Sequence, residues 1–488
     1  TRQIGTVTFA ERDDIDRALA RARQAALDWE TYPAVQRADC LDRVADLYEQ
    51  RLPELVALCA REAGKHIPDG VAEVREAVDF CRYYAARARL DLAQPMLLPG
   101  ATGERNQLSL HGRGVFVCIS PWNFPLAIFT GQIAAALVAG NAVIAKPAEQ
   151  TSLIGAHAVA LMHQAGIPPD VLQLLPGDGP GVGLPLVSDC RVDGVAFTGS
   201  VATAQRINRA LAEREGPIVP LIAETGGQNA MIVDSSALPE QVVSDVLKSS
   251  FQSAGQRCSA LRVLYLQADI ADRVIEMLTG AMAELRIGDP WDLATDVTPV
   301  IDESARRMLA AHAEHLSATA KLLYRCPLPA GTENGTFFAP CAFELHSLRE
   351  LTEEKFGPIL HVIRYQARDL DRVIDEINAT GYGLTFGIHS RIDTTVHHVI
   401  RRMRVGNAYV NRNMIGAVVG VHPFGGEGLS GTGPKAGGPH YLLRFTTERA
   451  LSIDTTAAGG NTTLMSLGEE EPPETLLLTE PRPLVQQS

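Results

Sequence analysis

GVFVCI (114–119), AVIA (142–145), VLQLL (171–175), GVAFT (194–198) and IVPLI (218–222) are five short apolar runs separated by segments with helical spacing. A strand with one wet face alternates apolar and polar residues, whereas a strand that is apolar throughout is covered on both faces. Such runs alternating with helices predict a parallel α/β sheet with right-handed crossovers. Ligands of such sheets sit beyond the carboxyl ends of the strands. Here those ends carry Pro121-Trp122-Asn123, Lys146-Pro147-Ala148-Glu149, Pro176-Gly177-Asp178-Gly179 and Thr198-Gly199-Ser200. A lysine and a carboxylate suit ribose hydroxyls, and a helix starting at Ser200 offers free N–H groups to a pyrophosphate. The GxGxxG spacing is absent, since GDGPGVG places its glycines at 177, 179, 181 and 183.

Upstream, Ile15, Leu19, Ala22, Ala26 and Trp29 recur at helical spacing, as do Leu41, Val44, Leu47 and Tyr48. A third helix is expected from about Asp69 to Leu92, with Val71, Val74, Val78 and Cys81 inward and Glu73, Glu76, Asp79 and Arg82 as its solvated face. Gly64 is placed to cap the helix before it. Residues 94–111 break the pattern and suggest an arm leaving the domain. Downstream, NAMIV (229–233), a helix from Pro239 and RVLYL (262–266) predict a second α/β unit, followed by a turn at Gly357 and a helix near 370–377. The stretch 415–438 is too rich in glycine for a helix or central strand, and Val418, Val419 and Phe424 favour a shaped binding loop over a linker. A β-like piece at Leu451–Asp454 suggests an arm strand, and the tail with EEEPPE (469–474) is expected to be disordered.

With 488 residues, 46% of them hydrophobic, the chain can build two or three domains. The 57 acidic against 44 basic side chains, without long like-charge blocks, argue against a nucleic-acid surface. The longest apolar run, Ile133–Ala145, is broken by Gly140 and Asn141 and is too short for a bilayer, which takes about 20 residues. Eight cysteines without CxxC spacing read as reduced cytoplasmic thiols, and the histidines form no HExxH motif, so no metal site is expected. The chain opens on Thr1, which suggests a piece of a longer protein.

One cysteine stands apart. FQSAGQRCSA (251–260) sets Cys258 behind the flexible Ser253-Ala254-Gly255 and beside the cation Arg257, which would favour the nucleophilic thiolate. Glu224, in ETGGQNA just past the last apolar run, could serve as a general base if burial raised its pKa; alone, it reads as a solvated or capping residue.

Taken together, FQSAGQRCSA, ETGGQNA, PWNFP, KPAEQT, FTGS and EEKFGPIL resemble, in order and spacing, the aldehyde dehydrogenase superfamily across residues 1 to about 456. The resemblance implies an α/β fold with a Rossmann-like NAD-binding domain (1–95 and 112–226), a catalytic domain (227–438), an oligomerisation arm (96–111 and 439–456) and a tail (457–488). It implies Cys258 as nucleophile, Glu224 as base and Asn123 as oxyanion donor beside the backbone N–H of Cys258. It places NAD against Ile119, Ser120, Pro121, Trp122, Lys146, Pro147, Glu149, Gly179, Phe197, Thr198, Gly199, Ser200, Gly226, Glu354 and Phe356. Lys146 and Glu149 would hold the adenosine ribose, Ser200 the pyrophosphate, and Glu354 with Phe356 the nicotinamide ribose. A carboxylate at 149 would repel a 2′-phosphate, which favours NAD over NADP.

The segment GAVVGVHPFGGEGLSGTGPKAGGPHYL resembles that of L-glutamate γ-semialdehyde (1-pyrroline-5-carboxylate) dehydrogenases, in particular the carboxyl-terminal half of bacterial bifunctional proline utilisation A. That likeness implies N–H groups at Gly416 and Ala417 and the Ser259 hydroxyl around the substrate α-carboxylate, and Phe424 on its aliphatic stem. It adds Glu76 near the amino group and Phe124 and Arg257 along the site. The implied reaction is NAD-dependent oxidation of the semialdehyde to L-glutamate in proline catabolism, by a homodimer or larger assembly fused to a flavin-dependent proline dehydrogenase domain. Another ω-semialdehyde such as succinate semialdehyde, or an inactive NAD-binding scaffold, are the alternatives.

Overall fold

The computed structural model describes residues 3–100 and 103–454, so the expected tail at 457–488 lies outside the described residues. Four helices come first: α1 (Arg12–Thr31), α2 (Ala34–Gln50), α3 (Leu52–Ala63) and α4 (Ile67–Asp91). Pro53 sits in the first turn of α3, where its missing N–H costs nothing, and Gly64 closes that helix at φ 63°. Next come β1 (Met96–Leu98) and β2 (Glu104–Gly112). The predicted alternation follows as β3 (Val115–Ile119), α5 (Ala127–Val138), β4 (Ala142–Lys146), α6 (Ser152–Gln164), β5 (Leu172–Leu174), α7 (Leu184–Ser188), β6 (Gly194–Thr198), α8 (Val201–Glu213) and β7 (Leu221–Glu224).

These strands form one parallel sheet in the order β5-β4-β3-β6-β7. The order reverses between β3 and β6, so a crevice opens beyond Ile119 and Thr198. The last strand differs from the expected 218–222. Pro217 and Pro220 have no N–H to give a ladder, so pairing begins at Leu221 and Ile218 stands in solvent. The shift makes Glu224 the last residue of β7, paired with Thr198 of β6.

The second unit contains β8 (Ala230–Val233), α9 (Pro239–Phe251), β9 (Val263–Gln267), α10 (Ala268–Ala283), α11 (Glu303–Thr319), β10 (Lys321–Arg325), β11 (Cys341–Leu345), β12 (Ile359–Tyr365), α12 (Leu370–Ala379), β13 (Tyr382–Gly383), β14 (Thr385–His389), α13 (Asp393–Arg402), β15 (Asn407–Val410) and β16 (Glu427–Gly428). Its sheet runs β10-β11-β12-β9-β8-β14-β15, parallel except at β10. The last strand, β17 (Thr446–Asp454), joins β1 and β2 in a separate three-stranded sheet. An arm segment starting at 439 is not what forms: Tyr441, Leu442 and Phe445 are buried in the core of the main body, where Tyr441 stacks on Tyr84 and the Phe445 ring packs tilted against Phe116. Among the described residues, no helix is long and apolar enough to cross a membrane.

On the expected solvated face of α4, Asp79 and Arg82 are exposed, but Glu73 and Glu76 are not, and this departure bears on function. Asp69 and Glu73 are 4% and 1% exposed. Glu73 Oε1 accepts the N–H groups of Leu126 and Ala127, capping α5, while its other oxygen meets Lys65 Nζ at 2.5 Å. A carboxylate at a helix start is favoured by the macrodipole, so the charge is compensated twice. Replacing Glu73 with Ala strands the buried Lys65 ammonium and should cost about 3 kcal/mol in equilibrium denaturation; a loss below about 1 kcal/mol would mean that the pair is not holding α5.

Candidate active site

Cys258 is presented by an unusual piece of backbone. After α9 ends at Phe251, Ser253, Ala254 and Gly255 all adopt left-handed φ values of 55°, 53° and 65°. Two of the three carry a Cβ, and each such residue costs roughly 1–3 kcal/mol unless its surroundings fix it. The fixing group is Asp69 of α4, which accepts Ser253 Oγ at 2.6 Å, Gln252 Nε2 at 2.5 Å and Arg257 Nη2 at 3.1 Å. Burial works against the Asp69 anion, but Arg257, Lys65 and these hydrogen bonds outweigh it and hold its pKa low. Gly255 is required as glycine, since a Cβ there would lie 2.4 Å from the carbonyl oxygen of Gly357. On the far side of the cysteine, Asn229 Nδ2 bonds the carbonyls of Cys258 (2.6 Å) and Ala260 (3.0 Å).

Asn123, beyond β3, donates to the carbonyl of Gln256 at 3.1 Å, so its amide lies against the nucleophile segment. Glu224 is enclosed by the second half of the glycine-rich loop. Its Oε2 accepts the Gly426 N–H at 3.0 Å, its Oε1 is buried without a partner, and a Cβ on Gly425 or Gly431 would come within 2.8 Å of the carboxylate. Burial drives its pKa up to about 8, against the Gly426 hydrogen bond and Lys435.

One cavity of about 100 Å³ joins Cys258, Glu224, Glu76, Phe124, Arg257, Ser259, Gly416, Ala417 and Phe424. Every residue that the likeness assigned to substrate therefore lines the same cavity as Cys258 and Glu224. Glu76, expected on a wet surface, instead points into this cavity; burial and the Glu73 charge raise its pKa to about 7 against Arg257 and Lys65. The Phe124 ring meets two cations, with Lys65 Nζ 4.1 Å and the Arg257 guanidinium 5.3 Å from its centre. A larger cleft along α8 and the edge of β7 contains neither Cys258 nor Glu224.

Arg257 does not do what the sequence suggested. Its charge is taken by Asp69, and the Cys258 thiol is pushed up to about 12 by burial and by the carboxylates Glu354, Glu224 and Glu76, against one hydrogen bond from the Ser259 backbone. Both effects favour the neutral thiol.

The expected dinucleotide residues gather at the strand ends. Ile119 ends β3, and Ser120 and Pro121 are buried just beyond it, with the Ser120 hydroxyl unpartnered. Trp122 meets Phe356 edge to face at 5.5 Å. Lys146 ends β4, buried, its ammonium given to the Pro147 carbonyl at 3.1 Å and its pKa lowered by burial against Glu149 and Asp178. Glu149 is exposed, and a Cβ on Gly179 would meet open space. Phe197 and Thr198 close β6, and Gly199 leads to Ser200, which caps α8 by accepting the Thr203 N–H at 3.2 Å. Gly226 leaves room for Glu354, whose Oε2 would lie 1.8 Å from a Cβ there. Glu354 itself turns to Arg262. No group of His, Cys, Asp and Glu among the described residues could hold a metal ion.

Sequence reasoning missed Asp69, Asn229 and Arg262. Asn229 adjoins the GGQ turn, and Arg262 is the charge at the head of an otherwise apolar strand run.

The chain belongs to the aldehyde dehydrogenase family, whose profile matches residues 1–451. Within it, the chain is 53% identical over 454 residues to the bifunctional protein PutA of Klebsiella aerogenes, covering 91% of this chain and 34% of that one. It is 36% identical over 461 residues to 1-pyrroline-5-carboxylate dehydrogenase of Anoxybacillus flavithermus, covering 93% and 88%. Among solved structures, bifunctional proline utilization A matches with a TM-score of 0.91 at 57% identity, over 93% of this chain and 46% of that one. 1-Pyrroline-5-carboxylate dehydrogenase from Thermus, solved with bound NAD, matches with 0.87 at 35%, over 92% and 87%. The chain thus spans about a third of the curated PutA relatives.

A thiol held at about 12 has a testable signature in the protein alone. The rate of iodoacetamide labelling at Cys258, followed by peptide mass mapping, should climb with pH without levelling off up to about pH 10. A plateau near neutrality would show a preformed thiolate.

Proposed function

We propose that the chain oxidises L-glutamate γ-semialdehyde to L-glutamate with NAD, through a thioester on Cys258. The observation that carries this reading is the single cavity in which Cys258 and Glu224 face Ser259, Gly416, Ala417 and Glu76. A substrate fitting it has an electrophilic carbon at one end and an amino-acid head at the other. The backbone N–H groups of Gly416 and Ala417 and the Ser259 hydroxyl suit a carboxylate, and Glu76 suits an ammonium.

The strand-end residues fit a dinucleotide on chemical grounds. Ser120 has a buried hydroxyl without a partner, Lys146 spends its ammonium on one carbonyl, and Gly179 borders open space. Lys146 and Glu149 would take ribose hydroxyls, the start of α8 at Ser200 a pyrophosphate, and Glu354 with Phe356 the second ribose. When bound, the nicotinamide takes the hydride that turns the Cys258 hemithioacetal into a thioester.

Cys258 attacks the aldehyde carbon and gives up its proton to solvent, which leaves Glu224 free for the later step. The oxyanion forms beside Asn123 Nδ2 and the Cys258 backbone N–H; each such donor is worth about 3 kcal/mol at the transition state. Glu224, whose pKa burial raises to about 8, takes a proton from the water that cleaves the thioester and returns it to the departing Cys258 sulfur. A semialdehyde without an amino group leaves Glu76 unpaired in the cavity, which disfavours succinate semialdehyde. The same proposal includes a homodimeric or larger assembly, a cytoplasmic setting consistent with eight unpaired thiols, and a proline-oxidising partner domain, as the word bifunctional in the names of the PutA relatives suggests.

NADH formation tests the substrate directly. The kcat/KM for L-glutamate γ-semialdehyde should exceed that for succinate semialdehyde by about 100-fold; equal values would remove the amino-acid head from the reading.

A further inference from the structure

Arg262 is one of the largest fully buried side chains in the molecule, at 2% exposure, and neither the catalytic steps nor the substrate cavity uses it. Its backbone is pinned on both sides. The N–H donates to the Asn229 carbonyl at 2.9 Å, and its carbonyl accepts the His361 N–H at 3.0 Å and the His361 Nδ1 at 2.8 Å. From that anchor the side chain runs back beneath the nucleophile turn. Nη1 donates to the carbonyls of Gly255 (2.7 Å) and Gly357 (3.1 Å), and Nη2 donates to the Arg257 carbonyl (3.0 Å) and Glu354 Oε1 (3.2 Å). The guanidinium also lies 5.1 Å from the centre of the Phe356 ring.

The four acceptors come from two segments. Gly255 and Arg257 belong to the turn that carries Cys258, while Gly357 and Glu354 belong to the segment assigned to the nicotinamide ribose. At Gly255 the segments are so close that a Cβ would lie 2.4 Å from the Gly357 oxygen. Two backbone carbonyls turned toward one point repel each other unless a cation sits between them. A planar guanidinium reaches all four oxygens at once, which a lysine ammonium cannot do.

We propose that Arg262 is a positioning residue that couples the nucleophile turn to the cofactor clamp, so that the dinucleotide grip of Glu354 and Phe356 and the placement of Cys258 change together. Anything that moves Glu354 or Phe356 pulls on the cation, and the cation is bonded to the backbone on both sides of Gln256. Coupling of this kind is reciprocal: removing the cation loosens both sites. The inference rests on the proposed role of Glu354 and Phe356 in holding NAD.

The test compares wild type with Arg262→Gln and Arg262→Lys in two measurements on folded protein, whose amount is fixed by the stoichiometry of Cys258 labelling. NAD affinity is read by calorimetry, and the iodoacetamide rate constant at Cys258 is read with and without NAD. Both variants should weaken NAD binding by about 10-fold and abolish the effect of NAD on the labelling rate constant. Should Arg262→Gln not fold, Arg262→Lys, which keeps the charge and the stem, carries the same comparison. Wild-type Kd and rate constants in the folded variant would overturn the coupling, as would a change at one site alone. Failure of wild type to bind NAD would instead overturn the reading of the cofactor site.

Discussion

Three hydrogen bonds to one buried carboxylate hold the backbone conformation on which the catalytic arrangement depends. Asp69 gathers Gln252, Ser253 and Arg257, and in doing so holds Ser253 and Ala254 in a region of φ that side chains with a Cβ avoid. Without that turn, α9 would run on past Phe251 and Cys258 would not face the cavity. The carboxylate comes from α4, whose neighbour Glu73 caps α5, and α5 follows the loop bearing Asn123 and Phe124. One helix thus positions the nucleophile turn and the start of α5 beyond the proposed oxyanion donor.

The electrostatics of the cavity follow from crowding acids into it. Glu76, Glu224 and Glu354 all have raised pKa values for the same first reason, which is burial. Burial first, and these carboxylates after it, push up the pKa of the Cys258 thiol. That favours an arrangement in which the proton leaves during attack, and it protects an otherwise reactive thiol from unproductive alkylation or oxidation. It also leaves the cavity receptive to an ammonium group. An amino-acid aldehyde supplies one, together with a carboxylate for the Gly416–Ala417 turn.

Much of this could be read from the chain because parallel strands buried on both faces leave continuous apolar runs, and four of the first five runs became β3 to β6 with boundaries moved by a residue or two. The fifth moved further because Pro217 and Pro220 have no N–H to give the ladder. What periodicity could not reveal was the third dimension of α4. Glu73, Glu76, Asp79 and Arg82 have the spacing of a wet helical face; Asp79 and Arg82 are exposed, while the packing of Lys65 and α5 buries the Glu73 end of it. Arg257 misled for the same reason: adjacency in sequence placed a cation beside the thiol, while the fold committed it to Asp69. The glycine-rich loop was legible as a binding loop, yet its glycines at 425 and 431 serve close approach to Glu224, which no local pattern announces.

The division of labour between Cys258 and Glu224 is the centre of the mechanism, and trapping the covalent intermediate tests it most directly. Glu224→Gln protein mixed with NAD and L-glutamate γ-semialdehyde should release a burst of about one NADH per chain and then stall, with a glutamyl adduct on the peptide carrying Cys258 in the mass spectrum. Sustained turnover by this variant, or an adduct on any other residue, would contradict it.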